Sequence, residues 1–489
     1  MKLNKLFSLL LTSLTLVSCT GGSTLPNKGS VDQKGLDVAP RPLNIRVGDP
    51  MPYFDNGKMN IFYLAEGPKQ GVGFHPIYLY QTEDYVHYTH KGEAIPFVNS
   101  IYEPECGLGT GSVIKDKNNL YHFFYTGFNN SSSSGLPYYE KIMHATSTDL
   151  INWTKHPSDA FYGGHNDFRD PYVLYMESEQ CYWMLITTRI SSKAVIALYK
   201  STNLSNWTYD SIFYSQLADN YNMECPTLIQ YNGYWYLSFS EQGATRITRY
   251  RYTESLTNPN WITPTNDFID RQGFYAGRLE KDDKGRMFAV GWCAEKEGEF
   301  DLGNFDWGGN LIVHQVDNSP NGELLIKPVD EVLDTFKTEV GYQGIPTNIS
   351  TSKNFEMYRG ESLSKNITRI SFDVTPKSSK GLLGIGFDIQ KSTDISNIAF
   401  AINLEADAIE FYNDITSKTL MGVPQLATSF DFRNGQKYHF ELMIQDEIAI
   451  LYVNNKVALT TRMYEMVKED FAFFSISSIA DISDIHIYE

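Results

Sequence analysis

The sequence predicts an all-β protein, a five-bladed β-propeller over residues 41–325 followed by a β-sandwich over residues 326–489. Three observations predict it. Aromatic residues make up 14% of the 489 positions and glycine occupies 36, a balance that suits pleated strands and tight turns. A turn followed by a short aromatic strand recurs along the first two thirds of the chain, with a second marker in phase with it. Beyond residue 336 both markers stop, and strands with period-2 alternation take over.

Taken in order, the chain starts MKLNKLFSLLLTSLTLVSCTGG. Two early lysines precede an apolar stretch from Leu6 to Val17 that is too short to span a bilayer, with a small residue before Cys19. Residues 1–18 read as an export signal, and Leu16, Val17, Ser18 and Cys19 resemble a bacterial lipobox. The expected product is an exported, membrane-anchored bacterial lipoprotein, at the cell surface or in the periplasm, whose lipidated N-terminus is Cys19. Residues 19–40 are rich in Gly, Pro and Ser without apolar periodicity and read as a flexible tether. No later segment is long and apolar enough to cross a membrane, so the lipid at Cys19 is the only membrane contact expected.

The propeller pattern comes next. The turn-plus-strand unit appears as DNGKMNIFYL (55–64), KNNLYHFFYTG (117–127), SEQCYWMLITT (178–188), YNGYWYLSFS (231–240) and DKGRMFAVGW (283–292). Anchored on Met59, Tyr121, Tyr182, Trp235 and Met287, the steps are 62, 61, 53 and 52 residues, the length of one four-stranded blade. The second marker is EDYVHY (83–88), TDLINW (148–153), TNLSNW (202–207) and ESLTNPNW (254–261). A long sandwich would space its strands more tightly. After KPVDEVLDTF (327–336), segments such as TRISFDVTP (368–376) and YHFELMIQDEIAILYVNN (438–455) predict the sandwich.

Charge and cysteine use narrow the function. A net charge of −17 repels phosphate backbones and anionic lipid, which excludes nucleic acid as a partner and permits a neutral ligand such as sugar. Cys106, Cys181, Cys225 and Cys293 fit no zinc spacing and read as buried free thiols. Oligomeric state is not legible.

In a propeller the innermost strands surround a central funnel, so acidic residues where those strands begin converge. Upstream of the aromatic strands lie GDPMPYF (48–54), GTGSVIKD (109–116), RDPYVLYM (169–176), ECPTLIQY (224–231) and GFYAGRLEKD (273–282). Asp49, Asp170 and Glu224 occupy matching places, each followed within two residues by a proline that sets the backbone there. Three carboxylates facing one funnel cannot all ionise freely, so a proton is retained and one pKa is pushed up. Glycosidic cleavage needs that split between a protonated and an ionised carboxyl. A bound cation such as calcium is the competing use, but no histidine flanks the three sites; neither a metal nor a cofactor is expected.

The order GDP, TGS, RDP, EC, FYA and then WGG at 307–309 resembles glycoside hydrolase family 32, the fructosidases that include levanases, inulinases and invertases. The resemblance covers residues 41 to about 325, and the trailing sandwich is similar to that family's second domain. It implies a carbohydrate substrate with fructosyl linkages and a retaining reaction, with Asp49 as nucleophile and Glu224 as general acid and then base. The two would stand about 5–5.5 Å apart. It implies that Asp170 stabilises the transition state beside Arg169, and that Thr110, Gly111 and Ser112 line the sugar site. Tyr275, Trp292 and Trp307 are implied as sugar-stacking aromatics. The chain departs from the family where Trp and Asn usually lead into the Asp-Pro pair and Asn-Gly follows: here Val47 and Gly48 precede, and Met51 and Pro52 follow. Two other functions stay open, an inverting furanosidase or xylosidase on a related propeller and a glycan-binding lipoprotein without catalysis. Retention of all three carboxylates speaks against the latter, because a pure binder has no need to bury repelling acids.

Overall fold

Five small antiparallel sheets arise where the aromatic repeats predict them. The structure, a computed structural model, describes residues 36–489 apart from 69–70, 217–219, 244, 353, 364–366, 391–394, 414–421 and 465–469. The expected signal peptide, Cys19 and most of the tether therefore lie outside the described residues. Blade 1 runs Arg46–Asp55, Lys58–Glu66, Ile77–Thr82 and Thr89–Ile95 from the centre outward. Blade 2 starts with Gly107–Lys115, blade 3 with Arg169–Met176, blade 4 with Met223–Tyr231 and blade 5 with Tyr275–Lys281. Blade 5 ends at Leu324–Lys327, and pairing of Val47 with Gly309 joins it to blade 1.

Local chemistry explains both repeat markers. In the Asn-Gly turns of blades 1 and 4, Asn56 and Gly57 have φ of 52° and 76°, and Asn232 and Gly233 have φ of 44° and 89°. Such left-handed pairs match the twist of a two-residue hairpin, and glycine adopts them without a Cβ penalty. The second marker is a repeated hydrogen-bond clamp. Asp84, Asp149 and Asn203 each accept two backbone N–H bonds through Oδ1, at 2.8–3.1 Å. One turn earlier, Thr82, Ser147 and Ser201 accept from the backbone N–H of Tyr85, Leu150 and Leu204. The residue spacing recurs because this turn recurs.

Beyond a short helix, Asp330–Thr335, two six-stranded antiparallel sheets pack face to face. Their core is aliphatic and aromatic, with Phe372, Phe400, Phe411, Phe440 and Phe473 buried in it. The outer face of one sheet docks on the propeller through Met443, Ile448, Ile450 and Tyr452. Polar pins hold the joint: Asp270 accepts from Thr460 N–H and Oγ, and Arg462 donates to Ala294 O and Asn310 Oδ1. Every carboxylate of the funnel comes from the propeller.

Candidate active site

The innermost strand of every blade carries a bulge at the same level. Register shifts fall at Gly48/Met51, Gly109/Gly111, opposite Leu185/Thr187, at Glu224/Thr227 and at Tyr275/Arg278. Four of the five place a residue other than glycine in the left-handed region: Asp49 at φ 36°, Asp170 at 59°, Cys225 at 53° and Ala276 at 52°. A bulge bends the strand and re-aims its side chains, and here it turns them into the funnel. Backbone strain at matching positions around one ring is held by the surrounding sheets and gathers where function gathers.

Asp49, Asp170 and Glu224 meet there from blades 1, 3 and 4. Trp292 Nε1–H donates to Asp49 Oδ1 at 3.0 Å, and Tyr275 O–H donates to Glu224 Oε2 at 2.7 Å. The Tyr275 and Trp292 rings touch edge-on, 5.7 Å apart, so blade 5 braces both carboxyls with one aromatic pair. Arg169 grips Glu224 Oε1 at 2.8 Å, lies 3.9 Å from Asp170, and reaches Glu140 at 3.1 Å and Asp167 at 3.2 Å. Asp170 accepts the Cys225 backbone N–H at 3.0 Å.

The electrostatics follow from this crowding. Burial, reinforced by the charges of Glu224 and Asp170, pushes the Asp49 carboxyl up to about 7, against the opposing pull of Trp292 and Arg278. Asp170 is raised too, by burial first, with Arg169 opposing and Glu224 reinforcing. Burial likewise pushes Glu140 up to about 7 despite Arg169 beside it. The cluster therefore retains a proton into the neutral range.

Several predicted residues take positions the sequence did not foretell. Trp292 is 1% exposed and Tyr275 6%, and both donate hydrogen bonds to carboxylates of the cluster, a role the sequence did not foretell. Thr110 lies in the floor, where its Oγ1 accepts from Arg278 Nη2 at 2.6 Å. Ser112 Oγ accepts from Val173 N–H, and Gly111 is needed because a Cβ there would stand 1.9 Å from Phe124 O. Trp307 stacks on His75 at 4.1 Å and covers Gly48, where a Cβ would meet its ring at 2.3 Å. An indole from blade 5 thus occupies the space that the missing asparagine would claim.

Sequence reasoning missed Arg278, Glu140, Asp167 and Arg246. Arg278 is 2% exposed, donates to Thr110 and Pro226 O, and sets a fixed positive charge below Asp49 and Asp170. A charged residue inside an innermost strand was the signal for it. Arg246 lies 4.9 Å over the Tyr275 ring and 5.8 Å from that of Trp292. Nothing in its sequence surroundings marked it.

Comparison with known proteins bears on the family and the fold. The family model for the glycosyl hydrolases family 32 N-terminal domain matches residues 46–328, more than half of the chain. A sucrose-6-phosphate hydrolase of Vibrio alginolyticus is 25% identical over 325 residues, covering 61% of this chain and 64% of that protein. The chain thus spans less than two thirds of that relative's length. A levanbiose-producing levanase of Bacillus subtilis (strain 168) is 30% identical over 190 residues, 36% of this chain and 33% of that one. In structure, the sucrose-6-phosphate hydrolase from Lactobacillus gasseri superposes with a TM-score of 0.70 at 15% identity, over 91% of this chain and 90% of the other. That likeness extends across both the propeller and the sandwich.

Proposed function

The chain belongs to glycoside hydrolase family 32, and on that premise we propose that it hydrolyses fructosyl linkages with retention of configuration, acting on fructans or fructose-containing oligosaccharides. The observation that carries this reading is the braced pair of Asp49 and Glu224, tied by Trp292 and Tyr275 on one side and neighboured by Asp170 on the other. The names of the relatives, sucrose-6-phosphate hydrolase and levanase, point to the same bond.

Asp49 is the nucleophile in this reading. Its carboxylate attacks the anomeric carbon while Glu224 delivers a proton to the leaving oxygen, so one C–O bond forms as the other breaks. Glu224 then takes a proton from water, which attacks the fructosyl ester and frees Asp49. The proton retained by the cluster must sit on Glu224 and the charge on Asp49 for the first step, and in a coupled group these placements are tautomers of one charge state. Trp292 Nε1–H fixes the attacking carboxylate, and Asp170 accepts from sugar hydroxyls. Arg278 offsets part of the triad's negative charge from below without touching sugar.

The test is hydrolysis of sucrose, inulin and levan by the full-length chain in detergent, beside Asp49→Asn and Glu224→Gln. Release of fructose or fructan oligomers by the parent alone supports the reading, with the product anomer reporting retention. Inversion on an arabinofuranoside or xyloside would replace it. We also propose export with a lipid at Cys19, supported by the lipobox; labelled fatty acid should enter the parent and not Cys19→Ser.

A further inference from the structure

A cavity of about 530 Å³ lies between blades 2 and 3, beside the carboxylate cluster. This is in the range of small-molecule sites, about 300–1,000 Å³. Its walls are the segment before Glu140–Ser147, with Tyr138 and Tyr139, and the crossing to blade 3, with Tyr162, His165 and Asn166. The Tyr138 and Tyr162 rings stand 5.0 Å apart at 38°, and Tyr139 is 66% exposed. Among the described residues, the hydroxyls of these three tyrosines and the His165 ring make no hydrogen bond to protein. Aromatic faces flanked by unengaged donors and acceptors suit a sugar ring, which offers C–H faces and a rim of hydroxyls.

The cavity's position gives it a direction. Glu140 and Asp167 belong to its wall, and both hold Arg169, whose other end holds Glu224. Only one guanidinium separates the cavity from the residue that protonates the leaving oxygen. Trp292, the hydrogen-bond partner of Asp49, belongs to blade 5, away from the cavity. Resting on the fructosyl hydrolase reading above, we propose that this cavity binds the leaving-group portion of a β-fructan or fructo-oligosaccharide, beyond the unit next to the bond cut. Preferred substrates are then longer than sucrose.

The experiment compares kcat/KM for sucrose and for a five-unit fructo-oligosaccharide in the full-length chain and in Tyr139→Ala, Tyr138→Ala and Tyr139→Phe. Loss of one stacking ring should lower kcat/KM on the oligosaccharide about tenfold and leave sucrose unchanged. Tyr139→Phe, which keeps the ring, should restore most of the loss. If the parent cleaves both substrates and the alanine variants lower both equally, or neither, the cavity assignment fails while the fructosyl hydrolase reading stands. If the parent cleaves no fructoside, both fail.

Discussion

The propeller funnel and the sandwich core are both built from antiparallel strands, yet they bury opposite kinds of side chain. Around the funnel, each innermost strand is bulged, four residues other than glycine sit at positive φ, and Asp49, Asp170, Glu224, Arg169 and Arg278 crowd together. In the sandwich the interior is hydrocarbon, with Phe372 stacked on Phe440 at 5.1 Å, and ion pairs such as Arg369 with Glu441 lie outside that apolar interior. The difference teaches where this molecule spends stability on chemistry. Buried like charges cost free energy, whereas packed rings supply it.

The sharpest way to break the comparison is to remove the funnel's charges. Glu224→Gln and Asp49→Asn should each lower kcat about 10²–10⁴-fold. Melting temperature should hold or rise in Asp49→Asn, where a repelling buried charge is gone, and fall modestly in Glu224→Gln, where Arg169 loses a paired carboxylate. A large loss of stability in either variant would mean that the carboxylates hold the fold. The converse change is Phe440→Ala in the sandwich, a fully buried ring whose loss costs about 3–5 kcal/mol by denaturant unfolding. Turnover per folded molecule should stay the same, and a parallel loss would show that the sandwich shapes the site through the Arg462 and Asp270 pins.

Smaller effects sharpen the contrast. Gly48→Ala puts a methyl group 2.3 Å from the Trp307 ring, and should cost about 1–3 kcal/mol and shift tryptophan fluorescence as the indole leaves His75. The subtlest prediction is in pH. In the proposed reaction the first step needs the proton that the cluster retains, and the Asp49 carboxyl, raised from 3.8 to about 7, sets where the cluster gives it up, so kcat/KM should fall as pH rises above about 7. Arg278→Met removes a charge that lowers this value, and should move that limb to higher pH. Stability runs the same way. Folded Asp49 keeps its proton where the unfolded chain has lost it, so its contribution is full below about pH 4 and declines as pH rises to about 7. Asp49→Asn should flatten that decline in pH-dependent melting curves.

Much of this was legible in one dimension. The Asn-Gly hairpins and the clamps at Asp84, Asp149 and Asn203 repeat because each is a local structure closed within a few residues. The Asp-Pro and Glu-Cys-Pro segments marked the triad because blade period and funnel geometry together bring their positions to one ring. The sandwich was visible as alternation alone, and no residue in it pointed to a role.

By itself, then, the sequence determined the all-β class, the blade repeat and the three carboxylates that face one another, since these depend on periods and short-range turns. Only the tertiary structure decided what surrounds them. Trp292 reaches Asp49 across 243 positions of chain, and Arg278 reaches Thr110 across 168. It also turned Trp292 and Tyr275 into donors, set Trp307 over Gly48 and opened the tyrosine cavity between blades. Each of these depends on distances between blades, which follow from ring closure and side-chain packing rather than from any period along the chain.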